Sequence, residues 1–184
     1  MNKNITLTEL ARSNEIYIDS TAIQSNGFQE LMIQNARFLK NEDNTIKVHR
    51  VVLNEFEKQE DSNNIKERLN MLKALEEGGV IQYIGNSLES RCTEQLYLDL
   101  IVTYRNKKNL TLISNNYDLV HDVLLMNQLV SFSGKEVTTF RITDEGNLVQ
   151  VSTKGVSKNA DNPLNNIDST TNQTEKLLKM FCLR

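Results

Sequence analysis

Four positions spread along the chain carry side chains suited to holding a hard cation: Asp19, Glu55, Glu94 and Asn116. Asp19 ends the apolar run Ile16-Tyr17-Ile18 and is followed by Ser20 and Thr21. Glu55 closes Val52-Leu53-Asn54-Glu55, and Glu94 lies in Thr93-Glu94-Gln95-Leu96. Asn116 lies in Leu112-Ile113-Ser114-Asn115-Asn116-Tyr117-Asp118-Leu119. Mg2+ prefers oxygen donors and typically takes one or two carboxylates plus waters and phosphate oxygens. Such an ion readies a water for attack on phosphorus and steadies the leaving oxygen. Each residue also has a plainer reading. Asp19 suits a helix N-cap, Glu55 a solvated helix face, Glu94 the positive end of a helix dipole, and Asn115-Asn116 a turn.

The rest of the sequence narrows the chemistry. Only two cysteines, Cys92 and Cys182, and two histidines, His49 and His121, occur in 184 residues. A disulfide framework or a cysteine- or imidazole-rich zinc site is therefore not expected, and both histidines read as structural. No Gly-x-Gly-x-x-Gly or Walker-type loop is present to cradle a nucleotide. With 21 basic against 24 acidic residues and a net charge of −3, bulk charge does not point to nucleic acid, although a local basic face remains open. No apolar run approaches the roughly 18 residues of a membrane helix. The polar start lacks a secretory signal's apolar segment. A cytoplasmic protein is expected, working through carboxylates, hydroxyls and amides.

These residues need elements to position them. Strands are predicted at Ile16–Ile18, Ile46–His49, Val80–Ile84, Leu110–Ile113 and Val137–Ile142. Helices are predicted from Phe28 to Leu39, after Val51, through Ile65 to Leu75 ahead of Gly78-Gly79, from Thr93 to Lys108, and from Tyr117 to Leu129. Short strands alternating with helices imply crossovers, hence a mostly parallel sheet covered on both faces. In such a sheet ligands collect beyond the carboxyl ends of the strands. The expected organisation is an N-terminal extension over residues 1–13, a domain over 14–150, a polar linker over 151–172 and a short amphipathic segment over 173–184. That last segment, with Leu177, Leu178 and Phe181, reads as a frayed tail or as a docking peptide. The tyrosines and phenylalanines read as core.

At the four acidic or amide positions the chain resembles the PIN domain family over roughly residues 14 to 142. The matching elements are a strand ending in Asp19-Ser20-Thr21, the Val-x-x-Glu helix ending in Glu55, the acidic Glu94 opening a helix, and the strand running into Ser114-Asn115-Asn116. The resemblance implies a three-layer α/β fold with a mostly parallel central sheet. It implies a Mg2+- or Mn2+-dependent endoribonuclease acting on single-stranded RNA, with Asp19, Glu55 and Glu94 as metal ligands and Asn116 as an auxiliary catalytic residue. Ser20, Ser114, Asp118 and Asp99 are further candidates around that site. Members are often toxins of toxin–antitoxin pairs or RNA-processing proteins, so an antitoxin or other protein partner and a homodimer are expectations too. The chain departs from the family at Glu94, where Asp is commoner, and at Asn116, which adds no charge. A fold retained as a catalytically weakened RNA- or protein-binding module is the alternative. A receiver- or hydrolase-like domain is disfavoured by the missing nucleophile elbow and by the lack of a second acid beside Asp19. Arg105, Lys107 and Lys108 read as a solvated helix end or as contacts to an RNA backbone, as do Lys40, Lys47 and Arg50.

Overall fold

The computed structural model describes residues 5–40, 45–59, 63–89, 91–129 and 134–152. The chain begins with α1 (Leu7–Ser13), β1 (Glu15–Ile18), α2 (Ser20–Gln24) and α3 (Phe28–Leu39). There follow β2 (Ile46–His49), α4 (Val51–Glu57), α5 (Asn63–Glu77), β3 (Ile81–Ile84), α6 (Thr93–Tyr104), β4 (Leu110–Ile113) and α7 (Tyr117–Gln128). A hairpin of β5 (Thr138–Ile142) and β6 (Leu148–Val151) completes the order. The six strands lie in the order β3-β2-β1-β4-β5-β6. All neighbouring pairs are parallel except β5 with β6. The fold is a three-layer α/β arrangement, as the alternation of strands and helices predicts.

The layers follow from strand parity. On one face Ile16 and Ile18 of β1, Ile113 of β4 and Phe140 and Ile142 of β5 pack with α1 to α5. On the other, Tyr17, Leu110, Leu112 and Val137 pack with Leu98 and Ile101 of α6 and Val123 and Met126 of α7. Successive strand side chains point to opposite faces, so continuous apolar runs such as Leu110–Ile113, buried throughout, are what a doubly covered strand requires.

The chain leaves β1 in one direction for β2 and β3 and in the other for β4 and β5. The gap between the carboxyl ends of β1 and β4 is therefore a switch point, where such sheets bind ligands.

Four expectations change. Residues 7–13 are not an extension outside the domain: Thr6 and Glu9 form a reciprocal capping box, and Leu7, Leu10 and Ala11 are buried in the larger core. The sheet continues through Val151, because β6 pairs with β5 where a linker was expected to begin. The helix predicted to reach Lys108 ends at Tyr104. Phe38 of α3 is 56% exposed and Tyr117 of α7 46% exposed rather than core. The amphipathic segment 173–184 and the rest of the expected linker lie outside the described residues.

The β5–β6 turn is pressed against the start of α3. A Cβ on Gly27 would lie 1.8 Å from the Thr143 carbonyl oxygen and 2.6 Å from the Gly146 nitrogen. Gly27 has ordinary helical dihedrals, so space alone excludes a side chain there.

Candidate functional site

Asp19 follows the last residue of β1 and is 2% exposed. It caps α2, accepting from the Ala22 backbone N–H at 2.9 Å. The Thr21 hydroxyl reaches both carboxylate oxygens at 2.9 Å, and the Ser114 hydroxyl donates to Oδ2 at 2.7 Å. Three hydrogens thus meet a group with about four lone-pair sites, which leaves room for one more electropositive partner. Burial pushes the Asp19 carboxyl up from its ordinary 3.8 to about 6; the bonds from Ser114, Ala22 and Thr21 oppose that rise, and the charge of Glu94 adds to it.

The second half of the site hangs from the end of β4. The Ser114 hydroxyl accepts from the Asn116 backbone N–H at 3.0 Å. Asn116 caps α7, its Oδ1 accepting from the N–H groups of Asp118 at 2.9 Å and Leu119 at 3.2 Å. Two backbone donors on Oδ1 fix the amide orientation, so Nδ2 is the atom that points onward, donating to Glu94 Oε1 at 2.9 Å. As an auxiliary ligand Asn116 would offer its oxygen to an ion; as a water-positioner it need not. Its oxygen is instead spent on the helix, and its NH2 sits where it partly compensates the Glu94 charge.

A continuous path therefore runs Thr21–Asp19–Ser114–Asn116–Glu94. Glu55 joins at the margin, receiving a hydrogen bond from the Thr93 hydroxyl, next to Glu94. Tyr97, fully buried in α6, donates to the Ile18 carbonyl and accepts from the His49 N–H at 3.2 Å, tying together the ends of β1 and β2. Sequence reasoning missed Thr93 and Tyr97. Their spacing from Glu94 along one helix was visible, but their partners lie on other elements.

The remaining candidates disperse. Asp99 pairs with Arg91. Asp118 is exposed on the first turn of α7. Ser20 makes no hydrogen bond to this group among the described residues. Lys107 is exposed and Lys108 pairs with Glu15, both at the sheet's opposite, amino end. Arg105 is not on a solvated helix end. It is 3% exposed, it donates through Nη1 to the Met126 carbonyl at 3.4 Å, and its Nε has no partner. His49 is buried, its Nδ1 accepting from the Val51 N–H at 3.3 Å, as a structural histidine would.

Among the described residues no three His, Cys, Asp or Glu side chains gather closely enough to form a cation cage. Asp19 and Glu94 are joined through Ser114 and Asn116 and are near enough for the Glu94 charge to raise the Asp19 pKa, and two carboxylates lie within the number Mg2+ draws from protein. All the donors are hard oxygens, and among the described residues no basic side chain hydrogen-bonds to Asp19, Glu55 or Glu94. That chemistry fits a small divalent cation held mainly by Asp19 and Glu94, with Glu55 at the edge. No protein-family model matches the chain, and no curated protein does either.

Proposed function

We propose that the chain is a divalent-cation-dependent endoribonuclease of the PIN type, cleaving single-stranded RNA with water as nucleophile. The observation that carries the reading is the buried Asp19 linked through Ser114 and Asn116 to Glu94 at the switch point of a parallel sheet. In this reading Asp19 and Glu94 hold Mg2+ or Mn2+, with Glu55 supporting. Such an ion supplies activation of a water and neutralisation of charge at phosphorus. Thr21 and Ser114 fix the Asp19 carboxylate, and Asn116 orients Glu94 while holding the start of α7. Each of these groups is set before substrate arrives, so little reorganisation remains.

The test is cleavage of a labelled single-stranded RNA with Mn2+ or Mg2+, compared with Asp19→Asn. The asparagine keeps the cap on Ala22, and the Thr21 and Ser114 hydroxyls can turn to accept from its NH2, so the fold is preserved. Cleavage is expected to fall on the order of 100-fold or more, the scale of removing a charge-stabilising group. An Asp19→Asn protein that cuts as fast as the parent would overturn the mechanism.

The orientation of Asn116 supports a second reading, a binding module with a weakened ion site, since the amide spends its oxygen on α7 and sets its NH2 against Glu94. Thermal unfolding with millimolar Mn2+ separates the two. A ligand specific to the folded state raises stability by mass action, and an unchanged midpoint would favour the binding module.

A further inference from the structure

The register of the sheet extends the site sideways. Tyr17 pairs with Leu112 and Leu112 with Thr139. Two residues further on, Asp19, Ser114 and Arg141 fall in one row across β1, β4 and β5 on the face covered by α6 and α7. The Asp19-to-Ser114 bond and the Ser114 N–H donating to the Phe140 carbonyl at 2.9 Å fit that row. Asn115 secures it by bonding in both directions to Ile142, at 3.1 and 2.9 Å. Two interstrand spacings separate Arg141 from Asp19, roughly 10 Å along the sheet.

Arg141 lies over the ring of Tyr117, its guanidinium carbon 4.5 Å from the centroid, and Nη1 donates to the Tyr117 hydroxyl at 2.6 Å. Its Nε has no hydrogen-bond partner, and no carboxylate pairs with it among the described residues. Tyr117 is the first residue of α7, next to Asn116, and is 46% exposed. An open aromatic ring braced by an unneutralised guanidinium is the combination that single-stranded nucleic acid uses, base on ring and phosphate on cation.

We infer that Tyr117 and Arg141 form a substrate subsite for single-stranded RNA, a nucleobase stacking on the open face of Tyr117 and Arg141 contacting an adjacent phosphate. This rests on the proposed nuclease reading and names the side from which the strand enters: the β5 flank of the carboxylates. It replaces Arg105, Lys107 and Lys108, which lie at the other end of the sheet, as the RNA contact.

The experiment is fluorescence anisotropy of a fluorescein-labelled, mixed-sequence single-stranded RNA with the full chain in EDTA, where binding is read without cleavage. Tyr117→Ala is expected to weaken binding about fivefold or more, the scale of one base–aromatic stack, while Tyr117→Phe binds as the parent does. Arg141→Gln is expected to weaken binding and to reduce the slope of log affinity against log salt by about 0.7, one phosphate's share. Parental affinity in Tyr117→Ala and Arg141→Gln, or equal losses in the Phe and Ala variants, would overturn the subsite. So would larger losses from Lys107→Ala or Lys108→Ala, or no binding by the parent up to roughly 100 µM. If the variants lose binding while the parent fails to cleave with Mn2+, the subsite stands and the nuclease reading falls. If the parent cleaves and the variants match it, the reverse holds.

Discussion

Glu15 opens β1 and Asp19 follows its last residue, so one four-residue strand carries an acid at each end. At the amino end Glu15 meets bases: Lys108 bonds to it, Lys47 lies 4.0 Å away, and the Tyr17 hydroxyl donates at 2.6 Å. Burial pushes the Glu15 carboxyl up, but the bonds from Lys108 and Tyr17 and the charges of Lys47 and Lys108 outweigh it, and its pKa falls below the ordinary value. At the carboxyl end Asp19 meets hydroxyls, an amide and another acid, and its pKa rises. One end of the strand is paired with bases, and the other has no basic partner among the described residues. Strong, buried shifts of this kind mark candidate sites because folding alone gains nothing from them.

The two ends of β1 differ most in how they respond to pH. In the folded chain Asp19 keeps its proton between about 4 and about 6, where the unfolded chain has released it. Its contribution is therefore complete below about pH 4 and is lost as pH rises through about 6. The climb from 3.8 to about 6 corresponds to about 3 kcal/mol. Urea unfolding in EDTA should find Asp19→Asn level with the parent near pH 4 and more stable by up to that amount near pH 7. A difference that stays constant across the range would remove the contrast. Glu15 has the opposite sign, its contribution present at neutral pH and lost as pH falls.

A smaller effect is expected from Asn116→Asp. Asp caps helices as well as Asn does, so α7 keeps its start, but the bond to Glu94 becomes a repulsion. Without cations the change should cost about 1–2 kcal/mol, and Mn2+ should then raise the unfolding midpoint more than in the parent. A smaller rise would mean that the end of β4 does not face a cation. The smallest effect belongs to Glu15→Gln. Lys108 is 52% exposed, and pairs with a solvent-exposed member contribute about 1 kcal/mol or less; a much larger loss would show that the amino end is not the relaxed end.

Part of the sheet was legible because doubly covered strands are apolar runs, as Ile16–Ile18 and Leu110–Ile113 are; β2 and β5, interrupted by Lys47 and by Thr138, Thr139 and Arg141, stood out through their β-branched residues instead. β6 was not, since an edge strand of four residues with Val149 and Gln150 exposed offers neither a run nor an alternation. The start of α1 did carry a signal, the Thr6-x-x-Glu9 capping box ahead of Leu10 and Ala11, but it lay outside the stretch that resembles the PIN family. Asp19 and Glu94 were legible from motif order. The role of Asn116 was not, because only its two backbone partners decide which way the amide turns. Arg141 was hidden for a similar reason: within Thr138–Ile142 it reads as a strand residue, and its place beside Ser114 exists only once β4 and β5 are in register. Arg105 misled because burial of a basic residue after a helix depends on the later segment around Gly134, whose Cβ would lie 2.9 Å from its Nε.

The contact between Gly27 and Gly146 joins the start of α3 to the β5–β6 turn. Backbone rests on backbone there, with no side chain to give way, so the hairpin carrying Arg141 has a hard stop supplied by α3. A single methyl at position 27 would act as a shim, tilting that hairpin while leaving Asp19, Ser114 and Asn116 on their own anchors. The distance of Arg141 from Asp19 is thus limited from behind the sheet, by a residue that touches neither.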